Sequence, residues 1–277
     1  MFKFNTSQKL LSCFILLISL ASFQSIESDQ EIYNKKIKKA QGENIDEFTL
    51  NISKSFLNRP YKAHTLEINS EEKLVINLRE FDCATFVESC IAMGISYRKN
   101  QLSFEKMKVF LQKLRYHDNK IKGYESRIHY FSDWIRTHTE DGLLQDVTLS
   151  IGGQEYKKNI HYMSSHWRDY PQAKSQNTQN IIKQREEYLN SQTMSYIPKS
   201  KIKNIENKIH NGDIIAITSN IDGLDISHQG FAIKMNKRIY LLHASSEHKR
   251  VMVTEKPLAE YLASKPAQTG IMVVRLL

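Results

Sequence analysis

The sequence predicts an α+β domain, helices first and a mainly antiparallel sheet second. Three observations lead there. Between Asn44 and Leu114 the apolar residues recur at three- and four-residue spacings, the period of helices with one buried face. From Asp213 to Arg275 the pattern changes to short runs rich in β-branched and apolar residues, divided by turn signals such as Asn220-Ile221-Asp222-Gly223 and Asn236-Lys237. Most links between those runs are too short for the crossovers that parallel strands need. Helices followed by strands are the element order of α+β domains.

The elements follow in order. Residues 22–42 are polar and Lys-rich and read as a flexible lead-in. Ile45, Phe48, Ile52, Phe56 and Leu57 predict a helix over 44–57, ended by Asn58-Arg59-Pro60-Tyr61. Leu74 to Leu78 suits a short strand or an extended approach. Cys83 to about Lys99 reads as a largely buried helix. Ser103 is a fair N-cap for an amphipathic helix carrying Phe104, Met107, Phe110, Leu111 and Leu114 on one face. An aromatic and histidine cluster spans 120–140, 150–170 is irregular, and 172–195 reads as a charged helix. Strands are expected at 213–218, 229–235, 238–243, 250–254 and 270–275, with a helix at 257–263 before the last. Residues 43–277 thus form a single domain with helical insertions around 100–210.

Composition bounds the function. The 277 residues are 40% hydrophobic, 25% charged and 10% aromatic, with ten Gly and five Pro, a globular balance that excludes a disordered or fibrous chain. A mean hydropathy of −0.48 excludes a multi-span membrane protein. The net charge of +9 favours anionic partners. Residues 1–9 carry Lys3 and Lys9 and no acid, an apolar run follows from Leu10 to Leu20, and Ser19-Leu20-Ala21 offers small residues for cleavage. That order predicts a signal peptide over residues 1–21. The run is short of the ~20 apolar residues of a membrane span, so no stable membrane insertion is expected after cleavage. The expected location is therefore periplasmic or extracellular. There an anionic envelope polymer is a better partner for the remaining +7 charge than nucleic acid.

Cleavage would leave Cys83 and Cys90. Seven residues apart on one helix they are separated by roughly 10 Å of rise, beyond the ~7 Å reach of a disulfide. An exported chain that keeps its thiols free calls for a chemical reason. Cys83 begins a helix, where unpaired N–H groups and the dipole favour thiolate. His228 opens one expected strand and His243 closes the next, so a hairpin brings them side by side as a base and its orienting partner.

Four ordered segments carry a resemblance: Phe81-Asp82-Cys83-Ala84-Thr85-Phe86-Val87-Glu88, Ser126-Arg127-Ile128-His129-Tyr130-Phe131-Ser132-Asp133-Trp134, Asp222-Gly223-Leu224-Asp225-Ile226-Ser227-His228-Gln229-Gly230 and Leu242-His243-Ala244-Ser245-Ser246. Together, and with Tyr61 and Thr65-Leu66-Glu67 upstream, they resemble the N-acetylmuramoyl-L-alanine amidase-like group of NlpC-type cell-wall cysteine hydrolases. The resemblance implies a papain-like fold, a catalytic domain over most of 45–277, and hydrolysis of the amide between N-acetylmuramic acid and L-alanine in peptidoglycan or its fragments. It implies Cys83 as nucleophile, His228 as base and His243 as the orienting residue, with no metal or cofactor. Ala84 stands where many such enzymes carry Ser, and His64 where a small residue is expected.

Around that triad, Arg127, His129, Tyr130, Asp133 and Trp134 are expected to form a substrate wall, Trp by stacking and Arg by pairing with a carboxylate. Tyr61, Asp225 and Ser227 are further candidate contacts. Asp82 is a candidate too, although its position suits a helix cap. His161 and His166 lack the spacing or partners of a zinc site. Two alternatives remain on the sequence: an endopeptidase cutting the stem peptide after γ-D-glutamate, and a non-catalytic glycan-binding module.

Overall fold

The computed structural model describes residues 27–277; the expected signal peptide, residues 1–21, lies outside them. Among the described residues are nine α-helices and eight strands. The helices are α1 (Asp29–Ile37), α2 (Ile45–Ser55), α3 (Cys83–Arg98), α4 (Phe104–Arg115), α5 (Phe131–Glu140), α6 (Tyr162–Ser165), α7 (Gln176–Asn190), α8 (Ile202–Ile205) and α9 (Leu258–Ala263). The strands are β1 (Leu144–Asp146), β2 (Gln154–Glu155), β3 (Ser195–Pro198), β4 (Ile214–Ser219), β5 (Ile226–Met235), β6 (Arg238–Ser245), β7 (Arg250–Val253) and β8 (Gln268–Leu276).

All eight strands join one sheet in the order β2-β3-β8-β4-β5-β6-β7, with β1 also paired to β8, and every ladder is antiparallel. Strand β4 is buried on both faces, which is why it reads as an unbroken apolar run. Ile214 and Ala216 pack with α2 and α3 on one side, while Ile215 and Ile217 pack with α8 and α9 on the other. Helices therefore cover both faces of the sheet, with α3 lying directly over β5 and β6.

The expected lead-in is corrected by α1. Ser28 and Glu31 form a capping box, with Ser28 N donating to Glu31 Oε2 at 2.8 Å and Ser28 Oγ accepting from Glu31 N. Ile32 and Tyr33 are buried in the main core. A short Lys-rich helix hides its two anchors from a composition reading.

Residues 64–80 contain no regular strand; the segment is an extended approach held by side chains. Leu78 N donates to Asp29 Oδ1 at 2.7 Å, and Arg115 Nη1 donates to the Val75 carbonyl at 2.7 Å. Tyr116 Oη donates to Glu72 Oε1 at 2.5 Å. These bonds deliver the chain to Asp82, the N-cap of α3. Thr85 N donates to Asp82 Oδ1 at 2.8 Å and Asp82 N donates back to Thr85 Oγ1 at 3.0 Å. The cap fixes the first turn, and Cys83 is its first residue.

The 100–210 stretch is no separate body. Its helices α4 and α5 share the main core, and the rest closes a satellite cluster of Tyr124, Tyr130, Ile160, Met163, Ala173, Ile182 and Leu189. Helix α5 begins inside the aromatic cluster, which the sequence reading left unassigned. No helix among the described residues is long and apolar enough to cross a membrane.

Candidate active site

The β5–β6 hairpin turns at Asn236-Lys237, both with positive φ (50° and 63°). That is the requirement of a two-residue type I′ turn, whose twist matches the strands. Its register pairs Phe231 with Leu242, and continuing it sets Gly230 opposite His243. A Cβ on residue 230 would lie 2.9 Å from His243 Cβ and 2.5 Å from the Leu242 carbonyl oxygen. The glycine therefore leaves the space into which His243 leans towards His228, two residues along the same face.

The two imidazoles meet: His228 Nε2 and His243 Nδ1 lie 2.6 Å apart, rings crossed at 85°. Burial holds His228 down to about 4. Burial, then the nearby His228, His248 and Lys265, hold His243 down to about 2. Both rings are thus neutral at pH 7, one donating and the other accepting. With Nε2 engaged, His228 has Nδ1 left for a second partner, and its side chain lines the same cleft as Cys83.

Cys83 is a free thiol among the described residues, as is the fully buried Cys90. The backbone N–H groups of Gln229, Cys83 and Ala84 face the Cys83 sulfur and favour its anion. Burial, and then the Asp82 carboxylate, outweigh them and push the thiol up to about 12. The expectation of a resting thiolate is therefore corrected. The helix terminus faces the sulfur as anticipated, but in the cleft wall beside the acid that caps the same helix.

The cleft, of about 190 Å³, is lined by Cys83, Ala84, Glu88, Ile128, His129, Tyr130, Phe131, Trp134, Leu224, Asp225, Ile226, Ser227, His228 and Gln229. Tyr130, Trp134, Asp225 and Ser227 thus fall where the sequence reading placed them. Tyr61 is half-buried close to Cys83 and Asp82, both of which, after burial itself, push its hydroxyl up.

Their working atoms differ from expectation. Tyr130 Oη donates to Glu186 Oε1 at 2.7 Å and accepts from Met163 N at 2.9 Å. Trp134 is stacked on Phe131 at 5.1 Å and only 4% exposed, so its face is not open to a sugar ring. Asp225 accepts from Ser132 N (2.8 Å) and Ile226 N (2.7 Å), one bond on each oxygen. It shapes the loop before His228.

Three expected substrate contacts are corrected. Arg127 is closed by acids: Nε and Nη2 donate to the two oxygens of Glu72 at 3.0 and 2.7 Å, and Nη1 donates to Glu67 at 2.6 Å. Asp133 is gripped by both nitrogens of the Arg185 fork, with His117 Nε2 at 3.2 Å. Burial pushes its carboxyl up, but His117 and Arg185 outweigh that and hold it below its ordinary value. Neither residue lines the cleft. Asp82 Oδ1 is taken up by its cap.

Sequence reasoning missed Glu88, Gln229 and Gly230. Glu88 had a signal, an acid five residues after Cys83 in an otherwise apolar helix. Gly230 had none without the register. Among the described residues no group of three or more His, Cys, Asp or Glu is arranged to hold a metal ion.

A mixed fold in which a helix-start thiol faces a bonded pair of strand histidines defines a recognisable class, and comparisons with known proteins name it. The model of the AmiA-like family, described as N-acetylmuramoyl-L-alanine amidase-like, matches residues 51–271, and the chain belongs to that family. A crystal structure of an N-acetylmuramoyl-L-alanine amidase from Bacteroides uniformis is 40% identical with a TM-score of 0.79, covering 84% of this chain and 98% of its own. A Bacteroides fragilis protein, whose structure is provisionally described as a xylanase, is 39% identical with a TM-score of 0.76, covering 81% and 98%. A Legionella pneumophila protein shares the fold at 23% identity and a TM-score of 0.68, covering 90% and 93%. No curated protein matches the chain.

Proposed function

We propose that this chain is an exported cysteine amidase of the NlpC-type, papain-like kind, cleaving the bond between N-acetylmuramic acid and L-alanine in peptidoglycan or its fragments. The observation that carries the reading is the shared cleft of Cys83 and His228, with His228 bonded to His243 at 2.6 Å. Family membership supports the bond cleaved, and the basic charge and N-terminal segment support export.

Because the resting pair is neutral, proton transfer accompanies attack. His228 Nδ1 takes the Cys83 proton as the sulfur adds to the lactyl carbonyl. The N–H groups that face the sulfur supply donors for the oxyanion. Collapse breaks the C–N bond, and the His228 imidazolium gives its proton to the departing L-Ala amine, leaving a thioester. Water, deprotonated by the same imidazole, then releases the muramic carboxylate and restores the thiol. His243 fixes the tautomer and shares the charge that His228 acquires.

The lining residues include no Lys or Arg, and Arg127 is sealed by Glu67 and Glu72. A lactyl amide is uncharged, whereas a γ-D-glutamyl site must receive a carboxylate, so the lining favours the amidase over the stem endopeptidase. Glycosidase chemistry uses two working carboxylates, and both Asp225 oxygens are occupied by backbone N–H groups. The test is mass spectrometry of defined muropeptides with the wild-type chain and Cys83→Ala. Free stem peptide beginning with L-Ala, lost in the variant, is expected. Cleavage inside the stem overturns the specificity, and no Cys83-dependent product overturns the enzyme.

A further inference from the structure

Glu88 is the one carboxyl of the cleft with an oxygen left unbonded. It is 8% exposed and lines the cleft. Arg115 Nε donates to its Oε2 at 2.8 Å, and Arg115 Nη2 is ion-paired with the same oxygen at 2.8 Å. Oε1 takes no hydrogen bond from any described residue. Burial pushes the Glu88 carboxyl above its ordinary value although Arg115 opposes this; with the Arg115 guanidinium on Oε2, Oε1 is the oxygen left to accept.

His129 lines the same cleft. Its Nε2 lies 2.9 Å from the Tyr124 carbonyl. A carbonyl only accepts, so the proton is on Nε2 and Nδ1 carries a lone pair. Burial, with Arg127 adding to it, holds His129 down to about 3, so the ring stays neutral near pH 7.

We propose that Glu88 Oε1 and His129 Nδ1 form an acceptor-only subsite that receives hydroxyl or amide N–H donors from the muramoyl side of the substrate. The muramoyl group is assigned because it is rich in donors and, once amidated, uncharged, whereas the stem carries carboxylates that two acceptors would repel. The identity of that group rests on the amidase reading. The acceptor geometry does not. Glu88 and His129 are specificity residues here, and neither is given a part in bond breaking.

The test separates binding from cleavage. In the Cys83→Ala chain, affinity for N-acetylmuramoyl-L-alanyl-D-isoglutamine is measured by calorimetry, with L-alanyl-D-isoglutamine as the sugar-free probe. Glu88→Gln and His129→Leu are each expected to weaken the sugar-bearing probe at least tenfold, from the loss of a bond to a buried charge or acceptor. The sugar-free probe should change less than twofold. His129→Leu leaves the Arg115 pair intact, so it decides alone if Glu88→Gln fails to fold. Equal loss on both probes, no loss on either, or no binding by the parent overturns the subsite. Cleavage by the Cys83-bearing chain without a subsite effect keeps the amidase and removes the subsite. A subsite effect without cleavage does the reverse.

Discussion

Two buried polar clusters flank the cleft wall, and they are built on opposite terms. In one, Cys83, His228 and His243 are held uncharged by burial, and their bonding is incomplete: the thiol and the second nitrogen of His228 are left to meet something else. In the other, Arg127 is closed by Glu67 and Glu72, and Asp133 by Arg185 and His117. Burial alone does not mark a working group. What separates the two clusters is whether a donor or acceptor remains unspent and faces a space.

That contrast breaks in a graded series of experiments. Arg127→Ala strands Glu72, which is nearly buried, and should cost about 3–5 kcal/mol of stability in urea unfolding. The folded fraction should still alkylate at Cys83 at the parent rate, and a rate collapse with unchanged stability would place Arg127 in the working cluster. Gly230→Ala attacks that cluster instead. The new Cβ displaces His243 from His228, and kcat should fall roughly 100-fold, the cost of misplacing a positioned group by about 1 Å. A variant with full activity would show that the histidine pair is not needed.

Mild acid should act first on the neutral histidines. Folded His228 titrates near 4 and His129 near 3, against 6.5 unfolded, so the unfolded chain binds more protons below pH 6.5. Stability is full above pH 6.5 and falls as pH drops towards the folded values, by up to about 1.4 kcal/mol per pH unit for each histidine. His228→Gln should flatten that slope in melts between pH 7.5 and 4.5; an unchanged slope would mean the ring is solvated. The smallest effect belongs to Asp82→Asn. Asn caps a helix about as well as Asp, so stability should shift by a few tenths of a kcal/mol. Losing the charge that opposes the thiolate should lower the pH midpoint of iodoacetamide labelling, and an unmoved midpoint would show that burial alone sets it.

Much of this was legible in the chain. The five principal strands and helices α2, α3, α4, α7 and α9 follow from period and turn residues, because each packs one face and ends at a cap or turn with its own side-chain chemistry. The meeting of His228 with His243 was readable from a tight turn at Asn236-Lys237. Strands β1, β2 and β3 were not, since segments of two to four residues carry no period. Arg127 and Asp133 misled because a charge in an aromatic-rich segment looks the same whether its partner is substrate or Glu72, 55 residues away. Helix α1 was hidden by lysines on its exposed side. Glu88 needed the third dimension to show which of its oxygens was taken.

The place of β8 has a consequence for how the chain is made. Strand β8 is central, pairing β4 along one edge and β1 and β3 along the other, yet it follows every other described strand in the chain. Until then β4 has one open edge and the two halves of the sheet have nothing to join them. The hairpin that carries both histidines is therefore made before its support exists, and the sheet closes only when β8 arrives. Deleting residues 268–277 would remove a keystone where an edge strand's loss would only trim the rim.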